Sequence, residues 1–262
     1  MRNLNKTPDI IDNNITRYIK LIKNLPLFIN LQQEELEEIL KHSHVSNYKK
    51  GLMLFLKGEK ALNLYIVLKG WVKLFDSNIE GEELIIEMIG PEKIIVPGAV
   101  LLNSTLPVSA RILKDSEILS IPATFIREYI KNNSNLTNNM LINLANQSDD
   151  LTYQLERITL KTAKERIGCF LLDLFLKNGK ENSATLPYSK FLIASHLSMK
   201  PETFSRALKD LEKDHIIVNK NKVTLSDEFV LCEYCDNKSA YRCIRHNNGK
   251  CPNCNAMNFF NK

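Results

Sequence analysis

Five of the six cysteines of this 262-residue chain lie after residue 231, and their spacing is the clearest chemical signal in the sequence. Cys232 and Cys235 form one Cys-x-x-Cys pair, Cys251 and Cys254 form a second, and 15 residues separate the two pairs. This spacing is typical of a zinc site in which four thiolates surround one ion. Four thiolates also suit an iron–sulfur cluster. We therefore predict a metal-binding tail over residues 228–262, with zinc as the first choice and an iron–sulfur cluster as the alternative.

The tail holds more potential metal ligands than one tetrahedral site needs. Cys243 and His246 lie between the two pairs, and Cys243 is the first substitute for one of the four thiolates. A segment this short and polar usually folds around a metal or disulfides, and disulfides rarely persist in a reducing cytosol. The sixth cysteine, Cys169, lies on the apolar side of a predicted helix, where we expect a small buried hydrophobic residue.

The positive charge of the chain is concentrated between residues 161 and 225. This stretch holds 12 Lys and Arg residues against 7 Asp and Glu, whereas residues 1–160 hold 18 against 19. A basic segment attracts polyanions, because neutralising phosphates releases their counterions. The charge favours a nucleic-acid-binding segment, although a solvated lysine-rich surface would have the same composition.

The same basic segment has the pattern of a winged helix-turn-helix. The sequence LPYSKFLIASHLSMKPETFSRALKDLEK predicts a helix near 189–197, a tight turn, and a second helix that begins at Pro201. The apolar runs IIV and VTL then flank NKNK, which predicts a two-stranded ribbon. Helix, turn, helix and ribbon together predict a winged helix-turn-helix domain.

The first two turns of the second helix hold the side chains that could read base edges. In a helix-turn-helix the N-terminal residues of the recognition helix face the major groove, and here these are Glu202, Ser205 and Arg206. A carboxylate can accept a hydrogen bond from cytosine, and a guanidinium can bind guanine through two donors. Five lysines could bind phosphates, which would fix the register on DNA without reading sequence. They are Lys190, Lys200, Lys209, Lys220 and Lys222.

The first part of the chain changes from a short helix to a series of strands. The sequence LPLFINLQQEELEEILKHS predicts one amphipathic helix. Residues 45–122 then hold short apolar runs separated by turn signals, including six glycines, which is typical of a β-sandwich or roll. From about residue 123 the pattern becomes helical. The predicted fold class is therefore α+β.

Apolar and glutamine residues repeat at alternating steps of four and three along the predicted long helix. The members of this seam are Met140, Leu144, Gln147, Leu151, Gln154 and Ile158. A heptad seam can pair the helices of two chains, or it can pack on its own domain, and two to three heptads do not decide between these alternatives. We predict a dimer interface along this seam.

These patterns divide the chain into five segments. They are an N-terminal arm over 1–22, a β-roll domain over 23–122, a dimerisation helix region over 123–160, the winged helix-turn-helix over 161–227 and the tail over 228–262. We find no long apolar run and no signal-peptide block, so we expect a cytoplasmic protein without a membrane partner. No phosphate-binding glycine loop, nucleophile motif or catalytic metal spacing occurs, which argues against an enzyme.

Over roughly residues 20–230 the sequence resembles the CRP/FNR superfamily of bacterial transcription regulators. Three stretches carry the resemblance in the family's order: LYIVLKGWVKLF with its glycine spacing, LERITLKTAKERIGCFLLDL, and LPYSKFLIASHLSMKPETFSRALKDLEK. The resemblance implies that residues 23–122 form a cyclic-nucleotide-binding-type β-roll that senses an effector. It also implies a homodimer that binds double-stranded DNA. It also implies RNA polymerase as a partner if the protein is an activator. The Glu-x-x-Ser-Arg order of Glu202, Ser205 and Arg206 is similar to that of members that bind TTGA-type half-sites.

The effector loop departs from the cyclic-nucleotide-binding members of that family. Those members place a Glu beside the ribose and an Arg beside the cyclic phosphate, but the matching positions here are Gly98 and Val108. A buried phosphate without a charged partner leaves its desolvation uncompensated. Arg111 lies three residues further on and should face elsewhere. We therefore expect a signal other than cyclic AMP.

Other sensors of the family match this chain only in part. The oxygen-sensing branch holds an iron–sulfur cluster on N-terminal cysteines, and residues 1–168 contain no cysteine. The sequences PETFSR and GAVLLNSTLPVSA look closest to the haem-linked Dnr-type branch, so His42 and His44 could bind haem, although histidines near a helix end are more often surface residues. Two alternatives stay open: the tail could itself sense a redox or gas signal, or it could be a metal-dependent interaction module. Ser198 occupies a turn position where many relatives carry Gly.

Overall fold

The structure is a computed structural model, and it describes residues 13–81, 83–178, 182–227, 230–236, 239–240 and 243. The chain forms two compact units that divide between Asp150 and Leu151. Each unit has its own apolar core. Among the described helices, none combines the length and the apolar composition that crossing a bilayer requires.

The first unit combines short helices with six antiparallel strands. The helices before the sheet are α1 (Asn13–Thr16), α2 (Ile19–Lys23) and α3 (Gln33–Lys41), with a 3-10 turn at Pro26–Phe28. The strands are β1 (His44–Tyr48), β2 (Met53–Phe55), β3 (Asn63–Ser77), β4 (Glu83–Ile89), β5 (Ile94–Ile95) and β6 (Ser109–Pro122), and α4 (Pro97–Leu101) lies between β5 and β6. The strand order is β1-β6-β3-β4, with β2 paired to β6 and β5 paired to β3. This arrangement confirms the predicted α+β class and its N-terminal β-roll.

The long central strands β3 and β6 form the centre of the roll. Val72 and Leu74 on β3 and Ile112 on β6 are buried in the core of the first unit. Gly70 lies in β3 with φ at +96°, and a Cβ atom there would lie 2.1 Å from Ser116 Oγ on β6. Only glycine allows this close approach of the two strands, because every other side chain would collide there.

The predicted N-terminal arm over 1–22 is wrong for its described part. Ile15 in α1 and Ile22 in α2 are fully buried in the core of the first unit. Residues 13–22 therefore fold with the β-roll, because their apolar side chains gain free energy by leaving water there.

Two helices follow the roll, and the second contains the predicted seam. They are α5 (Ala123–Asn132) and α6 (Ser134–Leu160). Asn133 Oδ1 caps the start of α6 by accepting a hydrogen bond from the Leu136 N–H at 2.8 Å. Met140 differs from its predicted role in the interface, since its side chain is 3% exposed and packs in the core of its own unit.

The second unit is a helix-turn-helix with a small sheet. Its elements are α7 (Ala163–Asn178), β7 (Ser183–Thr185), α8 (Lys190–His196), α9 (Pro201–Glu212), β8 (Ile216–Asn219), β9 (Lys222–Leu225) and a 3-10 helix at Val230–Tyr234. The predicted helices and the start at Pro201 are confirmed. The predicted two-stranded ribbon is instead a three-stranded antiparallel sheet in the order β7-β9-β8, because β7 pairs with β9.

The core of the second unit extends into the predicted tail. Leu231 and Tyr234 in the 3-10 helix are 2% and 7% exposed and belong to the same core as Phe204 and Leu211 of α9. The predicted boundary at residue 228 therefore does not separate two folded parts. The first residues of the tail complete the core of the second unit.

Candidate DNA-reading surface and cysteine segment

The helix α9, which the sequence predicts to be the recognition helix, has one buried face and one exposed face. Phe204, Leu208 and Leu211 pack in the core of the second unit. Glu202, Ser205, Arg206 and Lys209 are all exposed. The three predicted base-reading residues therefore share the accessible face of α9.

The charged side chains on this face are available to a ligand. Among the described residues, neither Glu202 nor Arg206 forms an ion pair or a side-chain hydrogen bond. The predicted phosphate-binding lysines likewise form no ion pair within the part of the chain that the structure describes. Lys200, Lys209, Lys220 and Lys222 are exposed, and Lys190 at the start of α8 is half-exposed. These charges need not break internal contacts before they bind phosphates.

The turn before α9 is strained at Ser198. Its φ is +53°, in the left-handed region that glycine prefers and that costs other residues about 1–2 kcal/mol. The Ser198 N–H donates to Ser195 O at 3.0 Å, and the Met199 N–H donates to Ala194 O at 3.0 Å. These bonds close the turn and hold the start of α9 beside α8.

Arg166 on α7 fixes the same turn, and the sequence analysis missed this residue. Its Nη1 donates to Leu197 O at 3.1 Å and to Ser198 O at 3.4 Å, and its Nε donates to Lys161 O at 3.0 Å. One guanidinium thus joins the start of α7 to the turn that precedes α9. Only its early position in a predicted helix could have drawn attention to it.

The two loop positions that the sequence analysis matched to charged residues of cyclic-nucleotide-binding members carry no charge. Gly98 lies in the short helix α4, and Val108 is 9% exposed in the apolar core. Arg111 has partners of its own, because its Nη1 binds Glu83 at 2.6 Å and its guanidinium lies 4.7 Å from the centre of the Phe75 ring.

A compact ion cluster on the β-roll surrounds Glu83. Lys73 and Arg111 both form ion pairs with it, and the Lys73 side chain is only 7% exposed. Burial alone would raise the pKa of the Glu83 carboxyl, but the hydrogen bonds from the two cations outweigh that effect and hold the pKa below its ordinary value. The cluster is internally paired and joins β3, β4 and β6.

The two histidines considered for haem have different surroundings. The His42 ring stacks on Phe125 with 4.1 Å between ring centres, and its Nδ1 lies 2.9 Å from Glu38 O. His44 lies exposed on β1. Within the described ranges, no group of three or more His, Cys, Asp or Glu side chains has the arrangement of a metal site.

We call the tail over residues 228–262 the cysteine segment, and its described part packs directly on α7. Gly168 makes room for it, because a Cβ atom at Gly168 would lie 2.2 Å from Tyr234 Cγ. The Tyr234 hydroxyl donates to Asp214 Oδ2 at 2.6 Å, and Cys169 Sγ donates to Tyr234 O at 3.2 Å. Cys169 is fully buried, as predicted, and burial raises the pKa of its thiol although Lys161 beside it acts in the opposite direction. Its role is therefore structural.

The two cysteines of the first pair lie on either side of that contact. Cys232 and Cys235 are half-buried, and neither forms a disulfide. The Cys235 N–H donates to Cys232 O at 3.1 Å, and both side chains pack on the buried Ala240. Cys243 is half-buried as well. His246, Cys251 and Cys254 lie outside the described residues.

Asp236 connects the cysteine segment to α6 and to the start of α7. The Tyr153 hydroxyl donates to its carboxylate, Lys161 Nζ lies 3.1 Å from Oδ2, and the Ser239 N–H donates to Oδ1 at 2.9 Å. Burial alone would raise the pKa of Asp236, but these three donors outweigh it and hold the pKa below the ordinary value. The charged Asp236 carboxylate thus accepts hydrogen bonds from all three donors and holds the cysteine segment to Tyr153 and Lys161.

The second half of the predicted seam is exposed on α6. The seam residues Leu151 and Ile158 are 50% and 40% exposed. Leu155 was not predicted as a seam residue, but it is 66% exposed and its spacing places it on the same side of the helix. Gln154 is half-exposed. In the first unit, Leu144 packs partly against the core, and Gln147 Nε2 donates to Ile94 O at 3.3 Å.

Comparison with known proteins places both units in described families. A cyclic nucleotide-binding domain model matches residues 45–133, and a Crp-like helix-turn-helix domain model matches residues 165–234. The chain is 24% identical over 196 residues to the cyclic AMP receptor protein of Thermus thermophilus. The aligned region covers 75% of this chain and 89% of that protein. It is 24% identical over 206 residues to the transcriptional regulator ArcR of Staphylococcus epidermidis. That aligned region covers 76% of this chain and 89% of ArcR. The structure of FixK2 from Bradyrhizobium japonicum shares the fold with a TM-score of 0.65 at 19% identity, and it covers 74% of this chain and 98% of that one.

Proposed function

Because this chain belongs to the CRP/FNR superfamily of transcription regulators, we propose that it binds a TTGA-type palindrome as a homodimer, in response to a signal other than cyclic AMP. The family consists of DNA-binding regulators rather than enzymes. The observation that carries the proposal is the exposed face of α9, where Glu202 and Arg206 have no internal partner among the described residues. We expect it to act in the cytoplasm, where the DNA is, and to contact RNA polymerase if it is an activator.

The base-reading step uses two side chains one helical turn apart. Arg206 can donate two hydrogen bonds to guanine O6 and N7, and Glu202 can accept one from cytosine N4. Ser205 lies beside them and can bind either a base or a phosphate. The exposed lysines would add affinity that does not depend on sequence.

The reading of bases is tested by comparing Arg206→Ala with Lys200→Ala. We expect Arg206→Ala to lose about 1–3 kcal/mol of binding free energy on a TTGA palindrome. The variant should also lose the preference for guanine at the base pair that Arg206 contacts. Lys200→Ala should weaken binding to every duplex alike and reduce the salt dependence by about one counterion. Titrations use the palindrome, a guanine-substituted palindrome and a random duplex at several salt concentrations. Equal weakening of all three duplexes by Arg206→Ala would contradict the base contact.

The homodimer would form through the exposed seam of α6. Leu151, Leu155 and Ile158 would gain free energy by packing against the same residues of a second chain. Leu151→Glu places a carboxylate in that interface and should give monomers in sedimentation experiments. Leu160→Glu is the matched control, because Leu160 is 79% exposed and lies on the opposite side of the helix. A Leu151→Glu variant that stays dimeric would show that this seam is not the interface.

The signal differs from cyclic AMP because the two charged partners of that ligand are missing. The Thermus thermophilus relative is named a cyclic AMP receptor, but Gly98 and Val108 here can neither bind a ribose hydroxyl nor neutralise a cyclic phosphate. Calorimetry should find no tighter binding of cyclic AMP than of AMP. Saturable binding that is selective for cyclic AMP would overturn this part of the proposal.

A further inference from the structure

Polar contacts fasten the end of α6 to α7 and to the cysteine segment, and all of them lie within the second unit. We propose that these contacts form a clasp, which fixes the angle between α6 and α7 and thereby the position of α9 relative to the seam. The clasp consists of Tyr153, Arg157, Lys161, Asp173, Asp236 and Ser239. Its effect on DNA binding rests on the proposed function, whereas the clasp itself does not.

The end of α6 has a polar side and an apolar side. Tyr153, Arg157 and Lys161 follow one another at steps of four residues, so they lie along one side of the helix and of the residue after it. All three are half-buried. Leu151 and Leu155 each precede one of them by two residues, which places these exposed leucines on the other side. The same turns of α6 therefore present an apolar side to solvent and hold the polar side against the second unit.

Asp236 holds the polar side of α6 from the cysteine segment. Its carboxylate accepts hydrogen bonds from the Tyr153 hydroxyl and from Lys161 Nζ, with 3.1 Å between Nζ and Oδ2. Both side chains of the Asp236–Lys161 ion pair are largely shielded from water, so salt screens this pair less than a surface pair. Asp236 is thus a positioning residue for the end of α6.

Asp173 on α7 holds the same side of α6 by a second set of contacts. Arg157 Nη1 lies 3.2 Å from Asp173 Oδ2, and Arg157 Nη2 donates to Arg166 O at 3.0 Å. Ser239 is fully buried, and it donates to both carboxylates: its hydroxyl to Asp173 Oδ1 at 3.4 Å and its N–H to Asp236 Oδ1 at 2.9 Å. Ser239 therefore joins the two sets into one network, whose members support each other.

The chain between the two helices is too short and too local to fix their angle by itself. Only Lys161 and Thr162 separate α6 from α7. The Thr162 N–H donates to Glu165 Oε2 at 2.7 Å, and the Glu165 N–H donates to Thr162 Oγ1 at 3.3 Å, which caps the start of α7. This cap lies within α7 and does not restrain α6. The contacts of the clasp cross the junction, so they restrain the angle between the helices.

The angle between α6 and α7 also determines where α9 lies. Because α9 packs on α7 in the core of the second unit, α7 and α9 move together. A dimer that binds two half-sites needs its two recognition helices at a fixed spacing. A clasp that holds this angle before binding lowers the entropy that is lost on binding. Asp236 and Ser239 lie after residues 165–234, so the matched helix-turn-helix model does not include this device.

Hydrogen exchange of the full-length protein tests the clasp without DNA. We expect Asp236→Asn to speed amide exchange over residues 153–166 by about tenfold, because the loss of a charged acceptor frees the end of α6 from α7. Exchange in α9 should not change. Glu156→Gln is the matched control, because it removes a carboxylate from an exposed position on the same helix, and it should leave both regions unchanged. Unchanged exchange over residues 153–166 in Asp236→Asn, or an equal acceleration in α9, would overturn the clasp.

A milder variant tests the same contact from the side of α6. Tyr153→Phe removes the hydroxyl that binds Asp236 and keeps the ring, which lies 5.2 Å from the Arg157 guanidinium. It should speed the same exchange by a smaller factor, and it carries the test if Asp236→Asn does not fold. In the double variant the two factors should not multiply, because both changes remove one contact. Factors that multiply, or no acceleration in Tyr153→Phe, would contradict the contact.

DNA binding to a palindrome and to a single half-site tests the positioning of α9. A single half-site needs one α9, whereas the palindrome needs two at a fixed spacing. Asp236→Asn should therefore bind the palindrome about tenfold more weakly, and bind the half-site as tightly as Glu156→Gln does. Equal weakening on both duplexes, or unchanged or tighter palindrome binding, would overturn the positioning role. If the unmodified protein binds neither duplex, the proposed function fails, and the exchange measurements alone decide whether the clasp exists.

Discussion

Gly168→Ala should destabilise the second unit, although the same change in an ordinary helix stabilises it. Alanine is favoured over glycine inside a helix by about 1 kcal/mol. At this position, however, the new Cβ would lie 2.2 Å from Tyr234 Cγ, whereas ordinary contacts begin near 3.4 Å. The ring must therefore move by at least about 1.2 Å, and overpacking of this kind costs about 1–3 kcal/mol. If the ring leaves its site completely, its hydrogen bond to Asp214 adds about 1 kcal/mol to the loss.

Urea unfolding at a fixed protein concentration measures this effect. Far-UV circular dichroism follows both units, while the fluorescence of Trp71, the only tryptophan, follows the first unit alone. We expect Gly168→Ala to lower the free energy of unfolding of the second unit by about 1–3 kcal/mol. The decisive comparison is the same change in a Tyr234→Ala background, where it should stabilise by up to about 1 kcal/mol because the collision is gone. If Gly168→Ala stabilises the otherwise unmodified protein, the packing of Tyr234 on α7 is refuted.

Three further changes test other parts of the structure. Ser198→Gly should raise the free energy of unfolding by about 1 kcal/mol, because glycine adopts the positive φ of the turn without strain; a loss of stability in urea would contradict this. Arg166→Met should cost about 2 kcal/mol through the lost bonds to the turn carbonyls, and it should weaken binding to all duplexes alike; unchanged stability would remove its positioning role. Burial raises the pKa of Glu87 above the ordinary 4.5 although Lys93 opposes this, so stability should fall as pH rises through that range. Glu87→Gln should therefore be more stable than the unmodified protein at pH 7, and this advantage should shrink as the pH is lowered toward 4.5; an advantage that grows in acid would contradict the assignment.

Local patterns made the recognition helix predictable, whereas contacts between distant segments did not. The apolar stripe of Phe204, Leu208 and Leu211 and the proline at position 201 define α9 within twelve residues. The strand β7 was missed because SAT has no apolar alternation and becomes a strand only by pairing with β9.

In the candidate sites, too, contacts between residues that are far apart in sequence could not be predicted from local patterns. Met140 has the spacing of an interface residue, but spacing alone cannot tell a partner chain from the residue's own core. A glycine in the middle of a helix is an unusual choice, so Gly168 could have signalled a close approach. Nothing in the sequence indicated that Tyr234 fills the space. Arg166 could not be assigned either, because its acceptors lie about thirty residues away on a turn whose position depends on the whole unit.

The packing of the cysteine segment on α7 bears on how this protein can be divided. The sequence suggests a cut near residue 227, after the last strand of the wing. That cut would remove Leu231 and Tyr234 from the core and leave an open apolar patch beside Gly168. It would also leave the half-buried Lys161 without the carboxylate of Asp236. A shortened DNA-binding fragment should therefore aggregate or unfold for reasons unrelated to DNA, and a fragment intended for separate study has to keep residues up to at least 240.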